Sequence, residues 1–99
     1  MTKPTMLVVE DNPDHLELTL SALEDSDSSH SIVIATNGRE ALDYLFGEGV
    51  YAGRSTDEQP ELVLLDLGMP EMNGLQVMQQ MRNDPRTFFV PVVMLTSAS

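Results

Sequence analysis

Oxygen-bearing side chains follow three apolar runs in this sequence of 99 residues, each where the run ends. Glu10 and Asp11 follow MLVV, Asp66 follows LVLL, and Thr96 and Ser97 follow VVML. A near-continuous aliphatic run of this length is typical of a strand that is buried on both faces. If the strands are parallel neighbours, their carboxyl ends lie about 4.8 Å apart and bring these side chains into one pocket.

Three carboxylates in one pocket repel one another and raise one another's pKa unless a cation neutralises them. Hard oxygen ligands with open positions suit Mg²⁺, which keeps several waters and uses one or two carboxylates plus a phosphate oxygen. The pattern therefore predicts a magnesium site formed by Glu10, Asp11 and Asp66. Simpler roles stay open, because a carboxylate at a strand end is often a helix N-cap or a turn former. Asp11 could cap the following helix, and Glu10 could act through a water or a second-layer contact.

The segments around these residues alternate between strand and helix patterns. Strands are predicted at four places: Thr5–Asp11, Ile32–Ala35, Glu61–Asp66 and Val90–Thr96. Helices are predicted between them, with an asparagine suited to each N-cap: Asn12, Asn37 and Asn73. The order β-α-β-α-β-α-β favours right-handed crossovers and an open parallel α/β sheet covered on both faces.

Two further features of the pattern bear on packing. Leu75, Met78 and Met81 recur at helical spacing, which predicts that they form the inward side of the third helix. Residues 47–60 are polar and rich in glycine, so a loop is expected there.

The composition excludes several classes of function. Sixteen acidic and five basic residues give a net charge of −11, which argues against a nucleic-acid or anionic-membrane surface and is compatible with cations or a basic partner. Most of these carboxylates are expected to lie on solvated surface. The chain has no cysteine, no apolar run approaching the roughly 18 residues of a membrane span, and no signal-peptide core at its start. We therefore expect one soluble, cytoplasmic domain.

The motifs taken together closely resemble the receiver domain of two-component response regulators. The matching segments are VVEDNP, LVLLDLGMPEMNG and PVVMLTS, which occur in that family's order and spacing across practically the whole chain. The resemblance implies a flavodoxin-like α/β fold with the strand order 2-1-3-4. The segment GEGVYAGRSTDEQP looks like the longer loop of regulators that are paired with phytochrome-type histidine kinases.

The resemblance also implies a role for each site residue. Asp66 would accept a phosphoryl group from a phosphohistidine of a sensor histidine kinase, in a Mg²⁺-dependent phosphorelay. Asp11 and Asp66 would bind Mg²⁺ directly, Glu10 largely through water, and Gly68 through its backbone carbonyl. Thr96 would hydrogen-bond the phosphoryl group and move when it arrives. The domain would be a phosphoacceptor and not an enzyme.

The sequence departs from the family pattern at its end. The family continues with a helix, a fifth strand ending in a lysine, and a final helix, whereas this sequence stops at TSAS and has only Lys3. We therefore expect residues 1–99 to be a single receiver domain that is truncated after the fourth strand. The apolar edge left on that strand is a template for pairing with another chain, so self-association is expected.

Two other functions compete with a signalling receiver. A Mg²⁺-dependent phosphatase of the haloacid-dehalogenase type also forms an aspartyl-phosphate at a strand end, but it needs a second acid where this chain has Gly68. A receiver-like binding module that is never phosphorylated would fit the missing lysine. Retention of Glu10, Asp11, Asp66 and Thr96 favours the phosphoacceptor.

Overall fold

The computed structural model describes residues 4–26, 30–66, 68–69 and 73–95. It contains four strands, three α-helices and a short 3₁₀ turn at Gly49–Tyr51. The main elements are β1 (Thr5–Val9), α1 (Pro13–Ser26), β2 (Ser31–Ala35), α2 (Gly38–Phe46), β3 (Leu62–Asp66), α3 (Gly74–Arg82) and β4 (Val92–Leu95). None of the helices in the described ranges is long and apolar enough to cross a bilayer.

The strands form one parallel sheet in the order β2-β1-β3-β4, which confirms the predicted order. β1 and β3 occupy its centre, and their register pairs Val9 with Leu65. The carboxyl ends of β1 and β3 therefore lie side by side at the same edge of the sheet. That edge is where an open α/β sheet binds ligands.

The predicted burial on both faces follows from the alternation of side chains along the strands. Leu7, Val9, Val63 and Leu65 face the layer formed by α2 and α3, and all four are fully buried. Val8, with Met6, is buried on the opposite face. Since the connection from β1 to β2 and the connection from β2 to β3 cross the sheet in opposite directions, right-handed crossovers place α1 on that second face. Buried side chains on both faces of β1, and Val63 and Leu65 of β3 in the core, hold the ends of these two strands in place.

The predicted helix starts are confirmed at Asn37 and Asn73. The Asn37 side chain accepts a hydrogen bond from the Glu40 N–H at 2.7 Å. Asn73 forms a capping box with Gln76, in which each side chain accepts a hydrogen bond from the other's backbone N–H. These caps satisfy backbone donors that the first helical turn leaves without partners.

The predicted inward side of α3 is wrong at one position. Leu75 is 52% exposed, and the fully buried residues are Val77 and Met81, with Gly74 on the same side. Because α3 begins at Gly74, a stripe at spacings of three and four runs through Gly74, Val77 and Met81 instead of through Leu75.

The fourth strand begins two residues later than the predicted Val90–Thr96. Val90 is buried, but its N–H bonds to the Thr87 carbonyl in the preceding turn, and Pro91 donates nothing to the sheet. The strand therefore begins at Val92, and Thr96 lies outside the described residues.

The predicted loop over residues 47–60 is held in place by Arg54. Its guanidinium donates to the carbonyls of Tyr44 at 2.7 Å and Glu58 at 2.6 Å, and it lies 4.0 Å from the centre of the Tyr44 ring. Gln59 adds a bond from its Nε2 to the Leu45 carbonyl at 2.9 Å. The loop is thus fastened to the C-terminal end of α2, at the opposite end of the strands from Asp66.

Replacing Arg54 by lysine is expected to lower the free energy of unfolding by about 1–3 kcal/mol. Lysine keeps the charge but lacks the planar fork that reaches two carbonyls while stacking on a ring. Urea unfolding measures the change. Arg39→Lys is the control, because Arg39 is exposed and forms an ion pair with Asp43, so its replacement is expected to cost less than about 0.5 kcal/mol. Equal unfolding midpoints for the two variants would contradict this role of Arg54.

Candidate functional site

The predicted convergence of Glu10, Asp11 and Asp66 is present in the structure. Asp66 is the last residue of β3, and Glu10 directly follows Val9 at the end of the neighbouring strand. The Glu10 N–H still bonds to the Ala35 carbonyl at 3.0 Å, so the backbone remains extended at that point. One carboxylate oxygen from each of the three residues lies within 4.8 Å of the others.

The three carboxylates differ in exposure. Asp66 is 2% exposed and Glu10 is 4% exposed, whereas Asp11 lies on the surface. Hydrogen bonds orient the two buried groups: the Gly68 N–H donates to Asp66 Oδ1 at 3.0 Å, and the Asn12 N–H donates to Glu10 Oε1 at 3.1 Å. The pocket therefore has two fixed carboxylates at its floor and one solvated carboxylate at its mouth.

The alternative role of Asp11 as a helix cap is not what the structure shows. Asn12 caps α1, because its Oδ1 accepts hydrogen bonds from the Asp14 N–H at 2.9 Å and the His15 N–H at 3.2 Å. This leaves the cap position to Asn12 and places Asp11 beside the other two acids.

Burial is the main reason that the pKa of Glu10 is raised above its ordinary value. The hydrogen bond from the Asn12 N–H opposes this shift, and repulsion and a shared hydrogen bond with Asp66 add to it. The His15 side chain lowers the pKa by a smaller amount. Glu10 and Asp66 are thus two acidic groups that the fold holds close together in a buried place.

Sequence reasoning missed two neighbours of the site. His15 lies in the first turn of α1, and its Nδ1 is 3.6 Å from Glu10 Oε1. The backbone of Asp66 is in close contact with Gly74, the first residue of α3. The position of His15 in the first turn after the Asn12 cap was a usable signal, whereas the Gly74 contact depends on how α3 packs.

The remaining predicted site residues have separate outcomes. Gly68 lies beside Asp66, through its N–H bond to that carboxylate. Thr96 and Lys3 lie outside the described residues.

The donor set fits a small hard cation. Opposite ligands of an octahedral Mg²⁺ lie about 4.2 Å apart, given Mg–O distances near 2.1 Å. The three oxygens span up to 4.8 Å, which is slightly wider and leaves room for one carboxylate to act through a water. All the ligand atoms are oxygens, the type that Mg²⁺ and Mn²⁺ prefer.

A parallel 2-1-3-4 sheet with a carboxylate cluster beyond its two central strands defines a class of α/β domain with its ligand site at the strand ends. The chain belongs to the response regulator receiver domain family, whose model matches residues 6–99. Domains of this family are generally signalling modules that interact with histidine kinases in two-component systems.

The solved structures that resemble this chain include regulators of the phytochrome type. The bacteriophytochrome response regulator AtBRR is 45% identical, with a TM-score of 0.91 that covers 99% of this chain and 69% of that one. The phosphorylated cyanobacterial phytochrome response regulator RcpA is 36% identical, with a TM-score of 0.84 over 98% of this chain and 67% of that one. The predicted flavodoxin-like receiver fold and the phytochrome-type likeness are confirmed.

A third relative is the response regulator Rcp1 of Synechocystis sp., which is 31% identical over 93 residues, 94% of this chain and 61% of that protein. Its Mn²⁺-bound form has been solved, with a TM-score of 0.84 over 98% of this chain and 67% of that one. The chain spans about three fifths of the length of two curated relatives that it matches, Rcp1 and the probable methanogenesis regulatory protein FilR2 of Methanothrix harundinacea.

Replacing Glu10 by glutamine is expected to stabilise the protein at pH 8 without divalent ions. Glutamine keeps the acceptor for the Asn12 N–H and removes the repulsion from Asp66. A pKa raised by folding means that ionisation of Glu10 costs stability above the folded-state pKa. The gain should therefore be present at pH 8 and vanish as the pH falls toward the ordinary value of 4.5.

Urea unfolding in EDTA at pH 8 and pH 5 checks this prediction. Glu17→Gln is the matched control, since it removes the same charge from an exposed position of α1. If both variants change stability equally at pH 8, ionisation of Glu10 in the pocket does not cost the protein stability.

Proposed function

We propose that this chain is a receiver that accepts a phosphoryl group on Asp66 from the phosphohistidine of a sensor histidine kinase, with Mg²⁺ as cofactor. The observation that carries the proposal is the cluster of three carboxylates, with Asp66 buried at the end of a central strand. The phosphorylated form of RcpA and the Mn²⁺-bound form of Rcp1 support it by likeness. The expected location of this reaction is the cytoplasm.

The proposed step is an in-line transfer between two nucleophiles. A carboxylate oxygen of Asp66 forms a bond to phosphorus while the bond from phosphorus to the imidazole nitrogen of the donor breaks. The imidazole leaves with the electron pair of that bond and takes up a proton. Asp66 is a weak nucleophile, so its positioning is the main contribution of the protein.

The side chains around Asp66 have separate parts in this step. The Gly68 N–H fixes one carboxylate oxygen of Asp66 and so limits the directions from which the group attacks. Glu10, Asp11, Asp66 and the carbonyl of Gly68 would hold the Mg²⁺ ion. When bound, the ion neutralises the carboxylates and the phosphoryl oxygens, whose negative charges would otherwise oppose the approach. Thr96 is proposed to hydrogen-bond the transferred group.

One feature of the chain argues against each of the two alternative functions. A phosphatase of the haloacid-dehalogenase type would need an acid two residues after the nucleophile, where this chain has Gly68. An inert binding module would not need a buried carboxylate pair, whose repulsion destabilises the protein when no cation is bound.

Incubation with Mg²⁺ and acetyl phosphate is expected to give a stable phosphoryl adduct on Asp66, detected by mass spectrometry as acid-stable and alkali-labile. Omitting Mg²⁺ should reduce labelling on the order of a hundredfold or more, because the charges that surround the acceptor are then not neutralised. Rapid release of phosphate without a lasting adduct would favour the phosphatase, and no adduct would favour the inert module.

Asp66→Asn tests the site itself, because the amide keeps the shape of the side chain and removes the nucleophilic oxygen. Labelling should be lost in this variant and retained in Asp43→Asn, whose carboxylate lies in α2 away from the pocket. Persistent labelling of Asp66→Asn would show that the acceptor is another residue.

We also propose that the outer edge of β4 pairs with a second copy of the chain. Within the ranges that the structure describes, β4 pairs only with β3, and Val93 on this edge strand is 45% exposed. An exposed apolar edge strand is a template for pairing with another chain.

Size-exclusion chromatography with light scattering at micromolar concentration is expected to show a dimer of the wild-type chain. Val93→Lys should elute as a monomer, because a charge on an edge strand opposes pairing. A strictly monomeric wild-type protein would refute this association.

A further inference from the structure

We infer that Gly74 is a positioning residue for Asp66, and that the absence of a side chain at the start of α3 sets where the acceptor carboxylate lies in the acidic pocket. A Cβ atom added to Gly74 would lie 2.7 Å from the backbone carbonyl oxygen of Asp66 and 3.2 Å from its carbonyl carbon. Non-bonded heavy atoms are comfortable at about 3.5 Å or more, so this contact cannot form without movement. The inference rests on the proposed function of Asp66.

The helix side of this contact has little freedom to retreat. Asn73 and Gln76 fix the first turn of α3 through a capping box, with hydrogen bonds of 2.9 and 3.0 Å. One and two turns further on, Val77 and Met81 are fully buried in the core against the sheet. Moving α3 outward would therefore break the packing of both side chains.

On the strand side of the contact, any movement affects Asp66, the proposed acceptor. Asp66 is paired with Leu95 of β4, and the residue before it is paired with Val9 of β1, so β3 cannot slide along the sheet. The movement left to it is a rotation of the peptide group that follows Asp66. That rotation changes the path of the chain between Asp66 and Gly68, whose N–H orients the carboxylate.

The role of Gly74 therefore differs from that of a glycine that only allows close packing of side chains. Leu65 Cγ is also 3.2 Å from the added Cβ, but a side chain can rotate away, whereas the Asp66 carbonyl belongs to the backbone. A side chain at Gly74 would displace Asp66 relative to Glu10, Asp11 and the oxygen positions that a cation needs. Misplacement of a reacting group by about 1 Å can cost on the order of a hundredfold in rate.

Gly74→Ala is the test, with Val77→Ala as a matched control. The control loses buried volume in the same helix, and so loses stability, while it keeps Gly74 beside Asp66. We expect Gly74→Ala to weaken Mg²⁺ binding, measured by calorimetry, on the order of tenfold. At saturating Mg²⁺ it should slow labelling by acetyl phosphate between about tenfold and a hundredfold. Val77→Ala should change neither quantity by more than about twofold once folded.

Circular dichroism establishes that each variant is folded, and trimethylamine N-oxide added equally to all samples restores a variant that is too unstable. Wild-type affinity and labelling rate in folded Gly74→Ala would overturn the inference, as would equal losses in Val77→Ala. Failure of the proposed function looks different, because the wild-type chain would then neither bind Mg²⁺ nor accept the phosphoryl group.

Discussion

Repulsion between carboxylates at the ends of two neighbouring strands is the constraint on which the site depends. Glu10 and Asp66 are nearly completely buried, and burial together with the nearby negative charge raises the pKa of Glu10. A flexible chain would relieve this repulsion by moving the two groups apart. Here the core that holds Val9 and Leu65, and the pairing of β1 with β3, prevent that movement, so the protein holds an electrostatic cost that a cation can relieve.

Backbone contacts do more than side-chain chemistry to keep these carboxylates in place. The parallel register places Val9 beside Leu65, and the residue that follows each of them is an acid. Asn12 takes the helix cap, which leaves Asp11 at the mouth of the pocket. Gly74 lets α3 start directly against the peptide group of Asp66. Each of these features keeps an oxygen atom where the pocket needs it.

Much of the fold could be predicted from the sequence, because the responsible signals are local. The aliphatic runs mark the strands, and the asparagine caps mark the helix starts, which were right at Asn12, Asn37 and Asn73. The inward side of α3 was wrong at Leu75, because a shift of one or two residues turns a helical stripe by about 100° for each residue.

The carboxylate cluster was also predictable, since parallel strands bring their ends to one edge of the sheet. What the sequence could not give is which residues touch that cluster from other elements. His15 lies 3.6 Å from Glu10, and Gly74 lies against Asp66, through packing that no local pattern encodes. The raised pKa of Glu10 likewise depends on burial, which is a property of the whole fold.

The arginine-fastened loop has a practical consequence for studying the molecule. Gly53 lies next to Arg54, and a Cβ built there meets no atom within 4 Å. Its φ of +96° makes substitution by most residues strained, but it also marks a turn in open solvent. Because Arg54 ties the flanking chain to α2, a short inserted peptide carrying a fluorophore would be anchored at its base. Such a label would lie at the opposite end of the strands from the carboxylates. It would report on the binding of a partner protein without entering the pocket.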